Sequence, residues 1–196
     1  MKKRKLSPLF LCGAVLIAAS LLLAAGWWLR TYLGTQNSKA VVAQMKELLP
    51  ERTLGVPEGY LNSMMPVLEL DGEDYVALLE VPAYGISLPV ADRWDSDALA
   101  DAPARFCGSA YDGTLVIGGL DHGEQFAFCG EIDLGARLTV TDMTGACFTY
   151  VVERVDRADH AEAPWLQNAE FDLTLFCRNA YSSEYIALRC VFSYGA

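Results

Sequence analysis

Six cysteines and two histidines are the residues best able to do covalent chemistry in this chain. Cys12 lies in an apolar N-terminal run; Cys107, Cys129, Cys147, Cys177 and Cys190 follow it. A thiol attacks carbonyls only as a thiolate, which calls for a histidine or another cation beside it. His122, in the sequence Asp121-His122-Gly123-Glu124, is either a surface-loop histidine or a proton-transfer partner for Cys177. Asp121, His122 and Glu124 could also touch a metal ion. No C-x-x-C spacing supports a zinc or redox motif, so no metal or cofactor is expected. His160 sits in an acidic loop and is expected to be solvated. Arg178 directly follows Cys177; its fork either holds a peptide carbonyl or carboxylate or is an ordinary solvated arginine. Cys107 and Cys129 could bridge if their Cα atoms come within disulfide reach. The odd count leaves at least one thiol unbridged, and the other reading is five small buried apolar side chains.

The strands that carry these groups fix where they point. Side chains alternate along a strand, so Leu173, Leu175 and Cys177 share one face and Thr174, Phe176 and Arg178 the other. On the last strand Ile186, Leu188, Cys190 and Phe192 share a face; Tyr185, Ala187 and Arg189 take the opposite one. The apolar faces are expected inside, which encloses Cys177, and a thiol in apolar surroundings is inert. Arg178, Tyr185 and Arg189 are then expected on an outer groove, where two arginines suit an acidic or C-terminal peptide group. A bulge at Phe176 would instead re-aim Cys177 outward. Tyr185, Phe176 and Trp165 either line the groove or pack.

The remaining pattern is mainly β. Strands are expected over 67–70, 75–81, 86–90, 115–117, 138–141, 148–155, 173–177 and 185–192, with Asp71-Gly72 and 142–145 as turns. Ser96 is expected to cap a short helix over 97–102. Many short strands with few short helices imply a small closed β-barrel over 66–196. Ser38 is expected to cap a helix carrying Val41, Val42, Met45, Leu48 and Leu49 and ended by Pro50, within a helical stalk and linker over 31–65. That helix either packs on the domain or stands as a stalk.

Charge and hydropathy place the domain. Leu9 to Leu29 is an uncharged run of 21 residues, long enough for a membrane-spanning helix. Lys2, Lys3, Arg4 and Lys5 precede it, and Trp27-Trp28 lies at its far end. This implies a single-pass anchor over 1–30, with the N-terminus cytoplasmic and the domain outside the cell membrane. A cleaved signal peptide is the competing reading. Beyond residue 30, 25 acidic residues face 10 basic ones. Such a surface repels phosphate backbones, so nucleic acid is excluded as a partner.

Four segments in order resemble one family. Val81 to Val90, VPAYGISLPV, resembles I-P-x-x-G-x-x-L-P-V. Arg105 to Phe126 resembles a stretch ending LVIAGHN…HFG, and LGARLTVTDMTGACFTYVV resembles G-D-x-V-x-x-x-D-x-x-G-x-x-x-Y-x-V. Asp172 to Val191 resembles DLTLFTC…R-V-x-V-R-C-V. Together they resemble the sortases, cysteine transpeptidases of Gram-positive cell surfaces, over about Met65 to Phe192.

The resemblance implies a thiolate that attacks a sorting-motif carbonyl, a thioacyl enzyme resolved by an amine, a proton-transferring histidine and an arginine at the oxyanion. At the matching positions, this sequence has Leu120 for the histidine, Arg178 for the cysteine and Tyr185 for the arginine. Three readings stay open. One is a non-catalytic homologue, a pseudoenzyme, that binds a sorting-signal-like peptide or surface partner through Leu120, Arg178, Tyr185 and Arg189. Another is an active transpeptidase with Cys177 as nucleophile, His122 as base and Arg178 or Arg189 at the oxyanion. The third is a structural module.

Overall fold

The computed structural model describes residues 8–55, 64–121, 125–179, 182 and 184–193. The described strands are β1 Thr53–Leu54, β2 Leu68–Leu70, β3 Glu73–Val81, β4 Ile86–Ala91, β5 Ala104–Cys107, β6 Leu115–Leu120, β7 Arg137–Asp142, β8 Ala146–Ala158, β9 Leu173–Arg178 and β10 Tyr185–Phe192, and all but β1 and β5 fall where the sequence pattern expects strands. The Asp71-Gly72 turn has positive φ at both residues, +53° and +87°, the backbone a two-residue hairpin needs. The turn at 142–145 is held by Asp142, whose Oδ1 accepts bonds from the Thr144 and Ala146 amides.

Eight strands close on themselves. Pairings run β8–β10–β9–β6–β5–β4–β3–β7 and back to β8, with β1 and β2 added outside the ring. β6 and β9 pair in parallel, and β9 and β10 antiparallel. Inward-facing residues from every strand of the ring except β5 fill the barrel, among them Leu79, Val90, Ile117, Val140, Tyr150, Leu175 and Leu188. Each such apolar side chain contributes roughly 1.5–3 kcal/mol on burial. The expected closed β-barrel is therefore present, with two short helices, α2 Ser96–Asp101 and α3 Ala163–Leu166.

Three local expectations change. The helix expected to start at Ser38 is part of one longer helix, α1 Pro8–Leu48. Ser38 is therefore inside the helix, and its hydroxyl bonds the Asp101 carbonyl at the end of α2. Val41, Val42 and Met45 are buried against Tyr75, Leu78 and Ala91, so this end of α1 packs on the barrel wall. Helix α2 begins at Ser96, one residue earlier than expected, and Asp95 before it caps the helix, its Oδ1 accepting the Ala98 amide at 2.8 Å. In the segment expected as linker, Thr53–Leu54 pairs with β8 in parallel.

The apolar run 9–29 lies within α1. Its described large side chains from Val15 to Leu23 are 61% to 77% exposed. The side chains of 9–12, 14 and 27 lie outside the described set. Among the described residues no helix is long and apolar enough to cross a membrane.

Candidate functional site

Parallel pairing of β6 with β9 and antiparallel pairing of β9 with β10 put three singled-out residues in one row. Leu120 lies opposite Arg178, and Arg178 lies opposite Tyr185. Neighbours in register share a sheet face. Arg178 is exposed, and Leu120 and Tyr185 are half-buried beside it, at the ends of three adjacent strands. Among the described residues Arg178 forms no ion pair, so its fork faces solvent at the centre of the row.

One residue earlier the same register points inward. Gly119, Cys177 and Ile186 form the adjacent row, and Cys177 is 1% exposed within the barrel core. Its thiol lies 3.9 Å from the Phe126 carbonyl oxygen. The strand runs regularly through Phe176 to Arg178, with no register shift against either neighbour. A short 3₁₀ turn, Ala127–Gly130, brings Cys129 against Cys177. Burial, and then the neighbouring Cys177 thiol, push the Cys129 thiol well above the usual cysteine range. Cys190 is pushed up by burial as well, against a smaller downward pull from Arg189.

Cys107 and Cys129 are both free, so the bridge that the sequence left open between them is not formed. Cys129 belongs to the barrel interior and Cys107 to the cluster on the outer wall. Cys107 is the one half-exposed thiol among the described cysteines and accepts a bond from Gln167 Nε2 at 3.1 Å. His122 and Glu124 lie outside the described residues. No group of three metal-ligating side chains occurs among those described.

Arg189 takes a different place from the open groove expected for it. It is 1% exposed. Nε bonds Asp156 Oδ2 at 2.9 Å, Nη1 bonds the Leu166 carbonyl and the Thr174 hydroxyl at 3.1 Å each, and Nη2 bonds the Trp165 carbonyl. The Trp165 ring stacks on the guanidinium, 4.9 Å away. The physical reason is α3, which the sequence pattern did not reveal. This single turn sits over the outer face of β9 and β10 and leaves two carbonyls that only a buried multi-donor cation can satisfy.

Between the exposed row and Arg189, the outer face is aromatic. Phe176 is covered by Trp94 and Phe106, with ring centroids 5.4 and 5.6 Å away. Gly118 lies beside Phe176 in register, and a Cβ there would stand 2.3 Å from the Trp94 ring. Neither Trp94 nor Phe106 stands out as a site residue in the sequence. The available signal was the glycine inside a β-strand, which marks close approach by another group. Trp94 is 39% exposed, so this patch remains open to a ligand. Further along the same face, a cavity of about 290 Å³ lies among Cys107, Val116, Gln167, Phe171 and Thr174. The outer face of β6 and β9 thus presents an exposed arginine row, an aromatic patch and a pocket in succession. This shape suits an extended chain with side chains at strand spacing.

No protein-family model matches the sequence. No curated protein matches it either. Solved structures do match. Sortase A from Corynebacterium diphtheriae is similar with a TM-score of 0.55 and 15% identity, over 91% of this chain and 97% of that one. Sortase C1 from Streptococcus agalactiae gives 0.56 and 16%, over 70% and 75%. Sortase C from Clostridium perfringens gives 0.52 and 17%, over 63% and 72%. The chain has the sortase fold.

Proposed function

We propose that this sortase-fold chain is a membrane-anchored surface protein that binds a sorting-signal-like peptide or surface partner without catalysing its transfer. The observation that carries the reading is the row Leu120–Arg178–Tyr185. The sortase resemblance calls for an imidazole, a thiolate and a guanidinium at these three positions. Leucine has no proton to exchange, and arginine is a cation without nucleophilic character at neutral pH. What the row offers is recognition: a planar, always-charged fork with a phenol on one side and an apolar side chain on the other. Arg178 would hold a peptide carboxylate or carbonyl, and the Trp94–Phe106–Phe176 patch would take an apolar side chain.

Anchoring is supported by the uncharged run 9–29, its basic N-terminal flank, and an apolar helical surface from Val15 to Leu23 that is exposed among the described residues. The same charge asymmetry supports a domain outside the membrane. A fold supports many functions, so the site and not the barrel carries the proposal.

The test uses the full chain in nonionic detergent micelles. Fluorescent peptides ending in sorting-type motifs are titrated, and transfer to an added amine is followed in the same samples. Saturable binding that drops about tenfold in Arg178→Ala, with no transfer product, is expected. Transfer product that disappears in Cys177→Ala would overturn the reading and establish a rearranged transpeptidase. Absence of binding by any peptide leaves a structural module.

A further inference from the structure

Behind the arginine row, the inward row Gly119–Cys177–Ile186 carries a thiol that the proposed function does not use. The 3₁₀ turn Ala127–Gly130 is pinned to both neighbours of that cysteine. On one side the Phe126 ring seats on Gly119, where a Cβ would stand 2.7 Å from it. On the other, Gly130 lies against Ile186, whose Cδ1 would be 3.8 Å from a Cβ there. Cys129 falls between these two contacts and so meets Cys177.

The Phe126 carbonyl fixes the pair more closely. It accepts the Cys129 amide at 3.0 Å and lies 3.9 Å from Cys177 Sγ, so one oxygen holds both residues. The two thiols are in hydrogen-bond contact. Both are buried in the barrel cluster.

The other described cysteines do not compete for Cys177. Cys107 belongs to the cluster on the outer wall. Cys147 lies between Ala146 and Phe148, which both point into the barrel, and so takes the opposite face of β8. Cys190 pairs with Leu173, four residues along β9 from Cys177. That is about 13 Å by strand rise, beyond the reach of a disulfide.

We infer that Cys129 and Cys177 form a disulfide when the chain folds in the presence of an external disulfide. The oxidising surroundings rest on the proposed surface location. In the closed barrel both thiols are sealed from an oxidant, so the chemistry belongs to the open chain, where they meet solvent. One cysteine thiolate attacks a sulfur of the external disulfide, breaks its S–S bond and expels one thiolate. The second cysteine thiolate attacks the protein sulfur of the mixed disulfide, forms the 129–177 bond and expels the other. Two electrons pass to the external disulfide, and the two cysteine protons end on the thiols it becomes. Folding favours the product, because the packed turn holds the two cysteines together and a disulfide buries no S–H donor.

The bond acts on the arginine row. Leu120 donates its amide to Gln125 Oε1 and accepts the Phe126 amide through its carbonyl. The bridge therefore ties the segment that holds Leu120 to the strand that carries Arg178.

The experiment refolds the full chain from urea in nonionic detergent micelles, either with glutathione and glutathione disulfide or with dithiothreitol alone. Free thiols are then alkylated, and intact masses and non-reduced peptide maps are compared. The glutathione sample is expected to lose two hydrogen masses and to give a linked peptide of Cys129 and Cys177 as the main intrachain product. Closing a ring of roughly 50 residues should raise its urea midpoint by about 1–2 M over the reduced chain. Cys129→Ala should remove the linked peptide and the shift together, and dithiothreitol in urea should reverse both in the native chain. The inference is overturned by free Cys129 and Cys177 thiols after refolding with glutathione disulfide, by a main bridge to any other cysteine, or by a bridged chain with no higher urea midpoint. Peptide binding at the arginine row does not enter this readout, so failure here leaves the proposed function standing.

Discussion

The Cys177 thiol and the Phe126 carbonyl oxygen lie 3.9 Å apart inside the barrel, while the next side chain, Arg178, stands in solvent on the other side of the wall. One peptide unit separates a sulfur sealed from water from a guanidinium open to it. This follows from strand alternation and an unbroken register, and it decides which group a ligand meets.

Thiol labelling tests that separation directly. With iodoacetamide on the folded full chain, Cys107 should react first among Cys107, Cys129, Cys147, Cys177 and Cys190, because the other four are buried. Cys177 should label only as fast as the barrel opens, and denaturant should bring all five to similar rates. Mass-spectrometric mapping of the time course reads this; fast labelling of Cys177 in the folded state would refute the enclosed position.

Arg189 should behave as a structural residue. Arg189→Ala leaves Asp156 without this partner and strips donors from the Trp165 and Leu166 carbonyls. The expected loss is about 3–5 kcal/mol in urea unfolding. Arg189→Lys should recover little, since an ammonium cannot reach four acceptors in one plane. Near-native stability for Arg189→Ala would show that α3 is not held this way.

Two adjacent glycines should respond differently to the same methyl group. Gly118→Ala pushes against Trp94, which is partly exposed and can swing aside, and against the edge of the buried Phe176 ring at 2.7 Å. It should cost about 1–3 kcal/mol and shift the tryptophan emission to the red. Gly119→Ala meets the fully buried Phe126 ring at 2.7 Å. It should cost about 2–3 kcal/mol and leave emission from Trp94 unchanged. A tryptophan emission shift in Gly119→Ala with none in Gly118→Ala would contradict the placement of the two residues on opposite faces.

Glu80 couples α1 to the barrel in a pH-dependent way. Lys46 Nζ lies 2.9 Å from Oε1, and Arg52 Nη2 bonds Oε2. Burial raises the carboxyl's pKa, but the two hydrogen-bonded cations together outweigh it, and the net shift is downward. A lowered folded value means that the stabilisation is fully present above the unfolded glutamate value of about 4.3. It is lost as pH falls below that through the folded value. Melting temperature should therefore drop more steeply for the native chain than for Glu80→Gln on going from neutral pH to acid. Parallel acid profiles would remove Glu80 from the account.

The sequence carried much of the barrel because its signals are local. Alternation over Leu173 to Arg178 and Tyr185 to Phe192, the Asp71-Gly72 turn and the glycine-bounded runs each depend on neighbours in the chain. Strand β5 was not legible, since Ala104–Cys107 is too short to show a period and pairs with β4 through one bridge, Ala91 with Ala104. Ser38 looked like a helix start because its residue type favours caps. The longer helix overrode it, and the hydroxyl found the Asp101 carbonyl instead.

What the sequence by itself determined is the inward side of Cys177, the outward side of Arg178 and the closed β-rich class, because a period of two fixes faces wherever one face must be apolar. Tertiary structure alone decided that Leu120, Arg178 and Tyr185 share a row, that Arg189 is buried under α3, and that Trp94 lies on Gly118. Each of those depends on strand order, register or a packed turn, and such relations join residues that the chain keeps far apart.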